Sequence, residues 1–125
     1  MYVASGDFAS GTAAGDAVEI NAPSDAVVKI HGFTFGNSSV TADESTAIIM
    51  SRAGSSGSGG GTITAQPLEL GDAAFGGSIE ENNSTAAGTL TDLFNYGFSV
   101  LAGLDVIFTP ETRPTISPSG RIVLR

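Results

Sequence analysis

The chain has no cysteine, no tryptophan and a single histidine, His31. Without cysteine there is no disulfide framework, no thiolate metal site and no thiol redox chemistry. That suits a reducing compartment, or a particle assembled inside a cell. Positive charge is scarce too: five Lys or Arg stand against thirteen Asp or Glu, for a formal net charge of −8. Nucleic-acid affinity rests largely on Lys and Arg neutralising phosphates, and no basic arm or block occurs. Nucleic acid is therefore not an expected partner, and neither is an anionic membrane surface. No apolar run approaches the roughly 18 residues of a spanning helix. The opening residues, MYVASGD, have neither the basic nor the apolar region of a secretory signal, so none is expected.

Charged residues of both signs make up only 14% of the chain, against about a quarter in ordinary domains. Its surface must then be covered by small polar residues or by other subunits. At 125 residues the chain is one domain by length, large enough to bury a core without covalent staples. Residues 1–16 are small and rich in Gly, Ala and Ser. They read as an extended N-terminal arm, either loose or docked on a neighbouring subunit. Residues 17–125 read as the single domain.

What the chain does have is strand material. Residues 26–36, AVVKIHGFTFG, are its most β-branched and aromatic run. Val28 and Ile30 share one face of a pleated strand, while Phe33 and Phe35 fall on the other. For all four to enter one core, an extra residue must sit between the pairs. Gly32 stands there, and the spacing predicts one long strand bent by a bulge. Residues 18–21, 45–53, 62–65, 104–109 and 121–125 add further strands. Residues 45–53 put Ile48, Met50 and Arg52 on one face and Ala47, Ile49 and Ser51 on the other, with both faces partly covered. Pro67 marks an edge strand or a crossing, after which Leu68 and Leu70 are expected to return to the core. Residues 89–100 fit either helical spacing through Leu90, Leu93, Phe94 and Leu101, or strands with a turn near Asn95-Tyr96-Gly97. The glycines favour strands. A short helix is possible over residues 72–75, with Phe75 and Ile79 as anchors and residues 80–83 as an exposed tip. At the C-terminal end Ile122 and Leu124 face inward, and Arg121, Val123 and Arg125 face outward or onto a partner. The expected fold is an all-β antiparallel sandwich, a single jelly roll of about eight strands behind an extended N-terminal arm.

The chemical inventory is thin. His31 has no second His or Cys to form a metal site or a relay. No Gly-x-Ser-x-Gly elbow occurs. Asp43-Glu44 and Glu80-Glu81 are acid pairs that loops could bring to a calcium ion, though an EF-hand pattern is missing. The glycine-rich stretch 54–61, GSSGSGGG, lacks the Lys-Ser/Thr ending of a phosphate-binding loop. It reads as a flexible surface loop. Asn37-Ser38-Ser39 and Asn83-Ser84-Thr85 match the glycosylation pattern by chance. No catalytic, cofactor-binding or metal-binding residue is assigned, no cofactor is expected, and an enzyme is not expected.

One succession of motifs runs through residues 18–125. Val28-Lys29-Ile30-His31-Gly32-Phe33 is followed by a strand ending near Arg52 and by the glycine-rich loop. Phe94-Asn95-Tyr96, Gly103-Leu104, Pro110-Glu111 and Gly120-Arg121-Ile122-Val123-Leu124 then follow. This order resembles the jelly-roll decoration, or cement, proteins on the outside of tailed-phage capsids. The resemblance implies a virion structural protein, commonly a homotrimer, that binds the major capsid protein or another virion protein and clamps neighbouring capsomers. It implies a place on the outer capsid surface after assembly in the host cytoplasm, and it brings no catalytic residues. An acidic chain suits the outer face of a shell, low charge suits subunit contacts, and an extended arm suits docking. The alternative is a tail or fibre-head module that binds a host receptor. Such a module needs an exposed loop patch facing away from its attachment end.

Overall fold

A computed structural model describes residues 1–7, 15–36 and 45–125. The alternating and β-branched runs form twelve strands, and no helix occurs among the described residues. They are β1 (Tyr2–Val3), β2 (Val18–Asn21), β3 (Val28–Lys29), β4 (Gly32–Phe35), β5 (Ser45–Ser55) and β6 (Gly61–Ile63). The chain continues through β7 (Gln66–Pro67), β8 (Ser78–Glu81), β9 (Gly88–Ser99), β10 (Leu104–Ile107), β11 (Thr115–Ile116) and β12 (Arg121–Leu124).

Six of them make one sheet in the order β6-β8-β2-β12-β5-β9, every pair antiparallel. β12 lies between β2 and β5, so Leu124 stands opposite Val18 on one side and Met50 on the other. Three two-stranded sheets complete the fold: β1 with β7, β4 with β10, and β3 with β11. Strand alternation gives the large sheet two different faces. One carries Val18, Ile20, Ile122, Leu124, Met50 and Ile48. These pack with Val28, Ile30, Phe33, Phe35, Leu104, Val106, Phe108 and Ile116 from the facing strand pairs and their flanks. The Phe94 ring lies 5.4 Å from Phe108, and Phe33 lies 5.5 Å from Phe35 and 5.9 Å from Tyr96, joining the two layers. Each large apolar side chain buried here contributes about 1.5–3 kcal/mol of transfer free energy.

Residues 26–36 are not one bulged strand. They break into β3 and β4, which pair with different partners, β11 and β10. Ile30 and Phe35 are nonetheless buried in the same core, as the parity of the two pairs requires. The break at Ile30 and His31 supplies the change of face. Ile30 N bonds to the Pro114 carbonyl and Phe108 N to the His31 carbonyl, so the gap is itself tied down. Gly32 serves close approach: a Cβ there would run into the Val106 carbonyl.

Residues 88–99 are a single strand with no turn at Asn95-Tyr96-Gly97. The register against β5 shifts between Met50, opposite Phe94, and Ser51, opposite Asp92. Leu93 is therefore the extra residue of a bulge, and both Leu93 and Phe94 reach the core. The reversal comes later, where Ala102 N and Gly103 N both bond to the Ser99 carbonyl. Three further expectations are corrected. Residues 72–75 form no helix. Leu68 and Leu70 do not return to the core; both are exposed. Val123 does not face outward but is fully buried, because the second face of the large sheet is also covered. The expected all-β antiparallel fold is observed, but the described residues form twelve strands in four sheets rather than a single jelly roll of about eight strands. Two-residue strands and the split of residues 26–36 account for the higher count.

Candidate functional site

The second face of the large sheet carries the most unusual chemistry. Alternation along β2 puts Glu19 opposite in sense to Val18 and Ile20. The registers then align Glu80, Glu19, Val123, Ser51 and Asp92 in a row across the sheet. A charged residue in such a row normally faces water. Glu19 instead has 0% exposure, and Asp16 and Asn83 beside it have 1% and 2%. The cover is built from the glycine-rich loop and the segment after β8. Ser58 and Thr85 exchange two backbone hydrogen bonds of 3.0 Å, closing one segment on the other.

The cover donates to the acids. Gly57 N donates to Glu19 Oε2 at 2.8 Å, and Asn83 Nδ2 donates to the same oxygen at 3.1 Å. Ala87 N donates to Asp16 Oδ2 at 2.6 Å. Glycine is needed at 57, since a Cβ would lie 2.6 Å from the Thr85 carbonyl oxygen and 2.7 Å from Asn83 Nδ2. The donors do not satisfy the acceptors. Asp16 Oδ1, Glu19 Oε1 and Asn83 Oδ1 are all buried, with no hydrogen-bond partner among the described residues. At the rim, Ser51 Oγ donates to Asp92 Oδ1 at 2.6 Å. Arg125 joins this pair through a 2.9 Å ion pair to Asp92 and a 3.4 Å bond from Nε to Ser51 Oγ.

Burial pushes the Asp16 carboxyl above its ordinary range. The Ala87 N–H pulls it back, the neighbouring Glu19 charge raises it further and Arg125 lowers it. A raised value means the folded chain holds this proton more tightly than the unfolded chain. The stabilisation is complete below the ordinary Asp value and is lost as pH rises through the raised one. Urea midpoints are expected to fall over that window, and Asp16→Asn is expected to flatten the fall. Asp92 goes the other way, its carboxyl lowered by the hydrogen bonds from Ser51 and Arg125. Its contribution is present above the ordinary value and lost on acidification through the lowered one, so the two groups act in separate pH windows.

The acid pairs expected from sequence do not form this site. Asp43-Glu44 lies outside the described residues, as does Asn37-Ser38-Ser39. Glu80 and Glu81 are consecutive on β8 and project to opposite faces; only Glu80 joins the Glu19 row. Asn83 of Asn83-Ser84-Thr85 is turned inward and is not an exposed acceptor. His31 is exposed at the break between β3 and β4. Among the described residues no three His, Cys, Asp or Glu side chains converge as a metal group; the buried cluster has two acids and an amide. A surface depression of about 340 Å³ lies between Thr34, Phe35, Leu101 and Asp105. Its one acid, Asp105, accepts a 2.7 Å bond from Thr34 Oγ1.

The other distinctive surface is apolar. β1 pairs with β7, and Leu68 N extends the pairing by bonding to the Met1 carbonyl at 2.9 Å. Tyr2 is anchored by its hydroxyl on the Ala73 carbonyl at 2.7 Å and by its ring 5.5 Å from Phe75. This holds Met1, Tyr2, Val3, Leu68 and Leu70 in the open, with Leu70 wholly exposed. Compared with family models, curated proteins and solved structures, the chain has no match.

Proposed function

We propose that this protein is a structural subunit of a virion, an outer capsid decoration or cement protein that oligomerises, most simply as a trimer, and clamps neighbouring capsomers. In that reading the large sheet and the facing strand pairs are the two layers of one jelly-roll subunit. The reading is supported by the exposed apolar set at β1 and just after β7. Exposed apolar side chains gathered in one patch mark interaction sites. A two-residue strand at the chain's N-terminal end also offers a small, separable element for docking. The net charge of −8 suits a surface turned away from a nucleic-acid genome.

The test is the mass in solution. Light scattering on a gel-filtration column is expected to give a small multiple of the 12.5 kDa chain. Leu68→Asp combined with Leu70→Asp is expected to shift it to the monomer with the melting temperature almost unchanged, because neither side chain is in the core. Electron microscopy of the native particle should then place the protein on the shell. A wild-type monomer, or a location at a tail tip, would overturn the proposal.

A further inference from the structure

We propose that Asp16, Glu19 and Asn83 form a calcium site beneath the glycine-rich loop. Two carboxylates buried side by side are costly in a low-dielectric interior unless something positive neutralises them. Their N–H donors occupy only one oxygen of each, leaving Asp16 Oδ1 and Glu19 Oε1 without partners among the described residues. The independent pointer is Asn83. Its side chain is 2% exposed, its nitrogen meets Glu19 Oε2 at 3.1 Å, and its own oxygen has no donor among the described residues.

Reversing the amide gives no relief. The two ends of such a group are assigned from their surroundings. As placed, Oδ1 faces the position of a Gly60 Cβ, where the Glu81 carbonyl also lies. Turned over, Oδ1 would sit against the Glu19 carboxylate. Either way an acceptor is left over, which is the arrangement a cation resolves.

The donor set selects the ion. The three unpartnered atoms, Asp16 Oδ1, Glu19 Oε1 and Asn83 Oδ1, are all hard oxygens, and the Thr85 carbonyl lies at the Gly57 approach beside Asp16 Oδ2 and the Asn83 amide nitrogen. Oxygen-only ligands suit calcium or magnesium over transition metals. Magnesium demands octahedral geometry and gives up water reluctantly, whereas calcium accepts irregular sets of six to eight oxygens. Two carboxylates balance its charge, and the closed cover favours the ion that sheds water more readily. The glycines at 57 and 60 then have a purpose, because a side chain at either would fill the place where loop and ligands meet.

The experiment compares melting temperatures in about 5 mM calcium chloride, in the same concentration of magnesium, and in EDTA. Calcium is expected to raise the melting temperature by about 5 °C or more, and magnesium by much less. Titration calorimetry should show one calcium per chain. Asp16→Asn and Glu19→Gln preserve size and are each expected to weaken calcium binding at least about tenfold. Asn83→Asp adds a carboxylate, so it should melt lower than wild type in EDTA and gain more from calcium. No calcium uptake, or a calcium shift that persists in the Asp16→Asn, Glu19→Gln double variant, would overturn the site. Neither result bears on the oligomer measurement, so the two proposals stand or fall separately.

Discussion

Replacing Ile122 by alanine is expected to lower the unfolding free energy by about 2–5 kcal/mol, read from the urea midpoint at unchanged slope. Ile122 has no exposed surface and sits on β12 between β2 and β5, opposite Ile20 and Arg52. Its neighbours belong to strands hydrogen-bonded on both sides, so they cannot slide in to fill the space. The cost of an unfilled cavity therefore adds to the lost transfer energy. Ile122→Val should cost only about 0.5–1.5 kcal/mol. Since a domain's whole stability is about 5–15 kcal/mol, the alanine variant should be close to unfolding at moderate temperature. A loss below about 1 kcal/mol would mean that the two layers do not close on this strand.

Glu19→Ala is the second large effect, at about 2–6 kcal/mol in chelator. Removing a buried charge can by itself be neutral or favourable. Here the donors that the carboxylate leaves behind matter more. Gly57 N–H and the Asn83 amide both donate to Oε2, and both would be buried without an acceptor, at about 1–3 kcal/mol each. Glu19→Gln keeps an oxygen in place and should cost about 1 kcal/mol or less. The difference between the two variants measures the acceptor rather than the charge. Hydrogen exchange at Gly57 supplies the local check, because the alanine variant should lose protection there ahead of the core strands.

Much of the sheet was legible in the chain. Alternation in Val18-Glu19-Ile20-Asn21 marks a strand at its observed bounds, and residues 121–125 mark another that ends one residue earlier, at Leu124. The change of face between Ile30 and Phe33 foretold that both halves of that stretch feed one core. Pro67 did mark an edge, since among the described residues β7 pairs only with β1. Other features depend on tertiary placement that a local pattern does not carry. Leu68 and Leu70 alternate like core residues, yet the strand ends at Pro67 and the chain turns at the surface. Val123 and Glu19 look like outward positions because strand periodicity tells the two faces apart without telling whether each is covered. The cover comes from residues 56–60 and 82–87, whose small polar composition resembles any loop. The signal for the buried cluster was a lone acid inside an apolar strand, together with glycines too numerous for a simple turn. The oligomer reading is a proposal that surface composition suggests and that the exposed residues around β1 and after β7 allow to be tested.

The position of β12 also bears on how the molecule can be made. It is the last of the six strands to leave a ribosome, and among the described residues it alone bridges the β2, β8 and β6 half to the β5 and β9 half. Until it emerges, each half presents a strand edge with free amides and carbonyls, open to pairing with another nascent chain. Completion is consequently a late, long-range zippering step, and slow folding of the kind that nonlocal strand contacts impose is the expected kinetic signature.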